Sequence, residues 1–168
     1  MPKYGLWWRE SGNGTKVACQ KALKKLTKDV AIAYNKAVKE YWWHVYETAR
    51  RLCIEYGAID TWALYQTIEL IWEHEYSGDL YEIAISSTSG VEMTAMIRVG
   101  GTGAINPKTG WYVDYAAIVH DGGPHPRGGG YFRARPFLTD AIVQSESFFQ
   151  TTMQKHLDGA LTQFTRDY

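Results

Sequence analysis

The residues with the most chemical potential lie in the stretch YAAIVHDGGPHPRGGGYFRARPFLTDAI, positions 115–142. His120, Asp121 and His125 stand close together there, and a second group, Glu73, His74 and Glu75, lies upstream. Zinc needs three or four rigidly held ligands. Two histidines five apart across Gly-Gly-Pro lack that rigidity, and no third ligand is evident. His120 is therefore expected to stabilise a turn or cap with an exposed partner, and no metal or cofactor is expected. A phosphate cradle fares no better. GGTGAINPKTG, positions 100–110, carries Lys108 and Thr109, but Pro107 stands where a P-loop requires its second glycine. GGPHPRGGG lacks the strand-to-helix setting of a dinucleotide fingerprint. There is no Gly-x-Ser-x-Gly elbow, and neither cysteine has a context that marks it as reactive. Isolated carboxylates such as Glu73 and Asp114 have no spacing that pairs them for acid–base work. The chain is not expected to be an enzyme.

The elements around that stretch come next. The 168 residues, 45% hydrophobic and 14% aromatic, suit a single folded domain. Formal charge is zero, so the overall field gives no argument for nucleic-acid binding. No apolar run reaches the roughly 18 residues of a membrane span, and the first residues lack a signal-peptide core. Charge is unevenly placed, however. Positions 1–58 carry eleven basic and five acidic residues; positions 59–85 carry six acidic residues and no Lys or Arg. These segments either neutralise one another within the subunit or dock between copies.

Gly12-Asn13-Gly14 breaks the chain and Thr15 suits a helix N-cap. From there to Gly57 no Pro or Gly intervenes. Leu23, Leu26, Val30, Ala33, Ala37, Tyr41, Val45, Ala49 and Leu52 recur at helical spacing. The spacing predicts one helix over 15–57, about 60 Å long, more than so small a domain buries alone. Part of it should project or rest on a neighbour. Trp42 and Trp43 put aromatic bulk on two of its faces. Cys19 and Cys53 would lie about 50 Å apart on it and cannot pair, which fits a reducing site of synthesis.

A mainly β region is expected over 59–119. LYEIAISS and VEMTAMIRV alternate, the second with Val91, Met93, Ala95, Ile97 and Val99 inward, as an antiparallel meander. The stretch 60–76 is ambiguous and has room for a short helix. Positions 100–110 read as a surface loop and 120–134 as a glycine-rich arm. Pro136 suits the first position of a second helix over 135–168, striped by Leu138, Ile142, Phe149, Met153, Leu157, Leu161 and Phe164. The fold class is α+β: long N-terminal and C-terminal helices packed on a small antiparallel sheet.

Three segments resemble a known family. YAAIVHDGG offers Tyr115, Ala116, Val119 and Gly122; ARPFLTDAI offers Ala134, Arg135, Pro136, Phe137, Leu138 and Ala141. IDTWALYQTI, residues 59–68, adds Asp60, Thr61, Leu64, Thr67 and Ile68. Together they resemble the tail-completion (neck) proteins that join head to tail in long-tailed bacteriophages. Trp62 stands where that family carries Gly, Tyr65 where it carries Arg, His120 where it carries Glu and Gly123 where it carries Thr. The resemblance implies a virion protein, made in the host cytoplasm, that forms a ring of six. It also implies partners: a head-side connector or adaptor, a tail terminator or tail tube, and DNA in the lumen. A small metal-dependent hydrolase using His120, Asp121 and His125 is the alternative from another class, and a terminator or head-closure ring is the neighbouring alternative. On this view HDGGPHPRGGG, with His120, Asp121, Gly122 and Arg127, is an arm that orders on assembly; the other reading is an ordinary surface loop. Arg133 and Arg135 would meet an acidic neighbour, DNA, or a carboxylate of their own chain. Tyr115, Pro136, Phe137, Trp42 and Trp43 complete the expected assembly residues.

Overall fold

The computed structural model describes residues 12–58, 62–72, 81–85, 95–110, 112–113, 115–124 and 129–167. Its largest feature is an antiparallel pair of helices, α1 (Gly12–Glu55) and α4 (Phe137–Asp167). Lys25 of α1 pairs with Asp167 at the end of α4. Further along, Glu40 meets His156 at 2.9 Å, and Arg51 meets Gln144 at 2.9 Å. Tyr56, just past α1, donates to Asp140 in the first turn of α4. The length of α1 that its own core cannot cover is thus shared with α4. Helix α1 starts at Gly12 and places Thr15 inside the helix; its first amides lack intrahelical acceptors in any case, so glycines cost little there. It stops where Gly57 turns left-handed at φ 61°, as its sequence position predicts.

The core gathers at one end of this pair. From α1 come Val38, Trp42, Val45, Ala49, Leu52 and Cys53; from α4, Phe137, Leu138 and Ala141. Against them lies a three-stranded antiparallel sheet of β1 (Glu69–Trp72), β2 (Tyr81–Ile85) and β3 (Ala95–Val99), ordered β1–β3–β2. The fold is α+β, as its periodicities predict. Ala95, Ile97 and Val99 are buried, and this cleanly alternating strand takes the centre. Val91 and Met93 lie outside the described residues.

The segments between the long helices depart from expectation. The ambiguous stretch holds the short helix it had room for, α2 (Ala63–Gln66), and also a strand, β1, so the sheet is not a simple meander. The expected surface loop contains β4 (Gly101–Ile105), which pairs with β5 (Tyr112–Val113). Gly100, at φ 83°, turns the chain from β3 into β4, and a Cβ there would sit 2.6 Å from the Val113 carbonyl oxygen. Residues 116–121 are helical, α3 (Ala116–Asp121), rather than the end of a β region. The stripe on α1 reaches inward only from its middle, as its surplus length predicts: Leu23 is 56% exposed, because no core lies beneath the far end of the pair.

Candidate functional site

The segments 115–122 and 134–141, on either side of the glycine-rich stretch, meet in one joint. Helix α3 ends at Asp121, and the chain turns at Gly122 with φ 78°. A Cβ on Gly122 would lie 2.9 Å from the Ala134 amide nitrogen and 3.0 Å from the Phe132 carbonyl oxygen. Only glycine permits that approach. The Arg135 amide then donates to the carbonyls of both Val119 and His120, at 3.0 Å each. Between these contacts β6 (Gly123–Pro124) pairs with β7 (Tyr131–Phe132), so both ends of the expected arm are tied together. His125 and Arg127 lie outside the described residues.

His120 is the pin of this joint. It is 3% exposed. Its Nδ1 lies 2.6 Å from the carboxylate of exposed Asp121. Its Nε2 lies 3.4 Å from the Thr139 amide and 3.3 Å from the Thr139 hydroxyl. Its ring meets Phe137 edge-on at 5.5 Å. An Nε2 that accepts from Thr139 satisfies one of the unpaired first-turn amides of α4, a cap supplied from another helix. The Asp140 amide donates to the Pro136 carbonyl at 2.9 Å, so Pro136 sits just outside the first full position of α4. Phe137 is fully buried, and Leu138 nearly so.

The other expected residues divide clearly. Arg133 is exposed, whereas Arg135 is half-buried. Arg135 stands near Cys53, where burial pushes the thiol up to about 11 and the Arg135 charge pulls the other way. Tyr115 is half-buried, and its hydroxyl accepts from Asn106 at 3.3 Å. Trp42 is 3% exposed and belongs to the core, while Trp43 is 56% exposed.

Several polar residues that hold these elements give no warning in the sequence. Asn106, buried, accepts from the Lys108 amide with its side chain and from Thr109 and Gly110 with its carbonyl. The amides beside Lys108 are thereby committed to a turn. Thr67 donates to the Leu64 carbonyl at 2.7 Å and accepts from the Gly100 amide at 2.9 Å. Ser145, fully buried on α4, lies 2.9 Å from His44 Nδ1, and the His44 ring stacks on Phe148 at 4.1 Å.

A surface feature was also missed. Trp43 packs on Tyr46 at 5.4 Å. The Arg50 guanidinium lies 5.3 Å from the Tyr46 ring and 4.3 Å from the Tyr65 ring. Tyr65 in turn meets Trp62 edge-on at 5.5 Å. The spacing of Trp43, Tyr46 and Arg50 on α1 signals the first half of this strip, but nothing local brings α2 beside it.

Among the described residues, no three His, Cys, Asp or Glu side chains come together, and no helix is long and apolar enough to cross a membrane. A groove of about 350 Å³ between α1 and α4 is lined by Lys25, Asp29, Lys36, Lys155 and His156, among others. No protein-family model, curated protein or solved structure matches the chain.

Proposed function

We propose that this protein is a structural component of a long-tailed phage virion, which forms a ring at the neck and joins the filled head to the tail. The carrying observation is the joint itself. Tyr115–Gly122 and Ala134–Ala141, the segments that resemble the neck family, are 12 residues apart in sequence yet pack as one unit through Arg135, Gly122 and His120. The third segment adds support. Trp62 has a left-handed backbone, φ 63°, at the position where the family pattern has glycine. Leu64 and Ile68 of the same segment are core residues.

On this reading the chain acts by assembly and not by catalysis. The joint fixes the start of α4, and the outer face of the helix pair would be left for neighbours. Six copies would close a ring, with head-side connector and tail-side rings above and below. The +6 segment at 1–58 and the −6 segment at 59–85 would orient the contacts, while aromatic groups supply most of the affinity. Arg133 is exposed and can face DNA or a neighbouring subunit.

The test is a charge reversal in infected cells. Arg133→Glu, alone and with Arg135→Glu, should give filled heads and separate tails by electron microscopy, with the purified variant still folded. Normal infectious particles would remove the arginines from the joining step. Particles that lack the chain altogether would overturn the neck assignment.

A further inference from the structure

The strip from Trp43 through Tyr46, Arg50 and Tyr65 to Trp62 has the composition of an interface centre, where Trp, Tyr and Arg dominate binding energy. Both end tryptophans are more than half exposed, at 56% and 53%. Arg50 is the unusual member. One guanidinium nitrogen donates to the Tyr46 hydroxyl at 2.8 Å. Its Nε is shielded from solvent and has no hydrogen-bond partner among the described residues. The Arg50 side chain is only half-buried, and a guanidinium that an apolar partner covers needs a further acceptor from that partner.

We infer that the strip receives the segment YGLWWRE, residues 4–10, from a second copy of this chain. The segment carries Tyr4, Leu6, Trp7 and Trp8 and, two residues on, the carboxylate of Glu10. That is aromatic surface for the strip's tryptophans together with an acceptor for Arg50. Chain length excludes the same copy. Helix α1 begins at Gly12, and Trp43 lies thirty-one residues along it, about 46 Å away at ~1.5 Å per residue. Trp8 is four residues before Gly12 and reaches at most about 14 Å from it. Trp62 lies beyond the far end of α1. The segment can therefore meet the strip only between copies. This deepens the ring reading, and depends on it only in requiring a second copy.

The test is a binding titration that needs no assembled ring. A fluorescent peptide of residues 3–10 is titrated with full-length protein carrying Trp7→Ala and Trp8→Ala, so that its own segment does not compete. Saturable binding is expected, weakened at least about tenfold by Trp43→Ala and by Arg50→Ala. Exposed Lys36→Ala on the same helix should leave it unchanged. No binding, or equal binding to the Trp43→Ala protein, would overturn the inference. Native mass measurement of the wild-type chain and of virion necks addresses the ring separately. A ring without peptide binding refutes the strap alone, and peptide binding without a ring refutes the neck reading alone.

Discussion

Trp62 tests what a left-handed backbone costs at a non-glycine residue. Its φ of 63° and ψ of −9° are left-handed. The conformation is held by the Gln66 amide, which donates to the Trp62 carbonyl at 2.9 Å. A non-glycine residue in this region is strained by roughly 1–2 kcal/mol. The half-exposed ring returns about 0.5–1 kcal/mol through its edge contact with Tyr65. Trp62→Ala loses the contact and keeps the strain, so it should destabilise by about 1 kcal/mol. Trp62→Gly loses the same contact but relieves the strain. Glycine also gives the unfolded chain about 0.5–1 kcal/mol of extra entropy. These terms nearly cancel, leaving Trp62→Gly close to wild type and about 1 kcal/mol more stable than Trp62→Ala. At an ordinary loop position the order is reversed, because alanine restricts the unfolded chain more than glycine. Urea unfolding followed by circular dichroism would separate the two midpoints by about 0.5 M for a slope near 2 kcal/mol per M. A Trp62→Ala midpoint equal to or above that of Trp62→Gly would refute the strain argument.

Other outcomes follow from the joint and the core. Gly122→Ala should cost about 2–3 kcal/mol, since it meets both a positive φ and the backbone of residues 132–134; the same urea assay reads it. Phe137→Ala should cost about 3–5 kcal/mol, because the ring is fully buried at the start of α4. Cys53 should resist iodoacetamide in the folded chain while partly exposed Cys19 reacts, so mass spectrometry should find one adduct before denaturation and two after. Burial raises the Cys53 thiol from 9.0 to about 11, so the neutral form belongs to the fold. Its contribution should be complete below pH 9 and fade as pH rises towards about 11, and Cys53→Ala should flatten that part of the stability profile.

What was legible in the sequence was what repeats. The 3.6-residue period of α1 and α4 and the two-residue period of β3 each follow from one apolar face meeting one core. Glycines and proline marked real turning points at Gly57, Gly100 and Pro136. Strand β1 was missed because its residues, Glu69 to Trp72, are exposed or half-buried and so show no clean alternation. Helix α3 was missed because six residues offer barely more than one turn of periodicity. Asn106, Thr67 and Ser145 could not be singled out, since each is a common polar residue whose burial depends on a distant element. The full length of α1 was legible, but the partner that covers its far half was not, because antiparallel docking of α4 is a matter of topology.

The recognisable motifs and the surface available to partners are largely different residues. Val119, Gly122, Phe137 and Leu138 are taken up by the joint or the core, and Leu64, Thr67 and Ile68 are buried. A motif of this kind specifies how the subunit folds, and it would persist in any protein built on the same joint. On the proposed assembly reading, partner choice would rest on side chains that the motifs leave out. Trp43 and Trp62 answer that description: both are large, more than half exposed, and tied through Arg50 to residues of two separate elements. An exposed tryptophan contributes little to the folded subunit beyond one edge contact, and at Trp62 it does so from a strained backbone. The proposed docking of a second copy would offset the remainder of its cost to the folded chain.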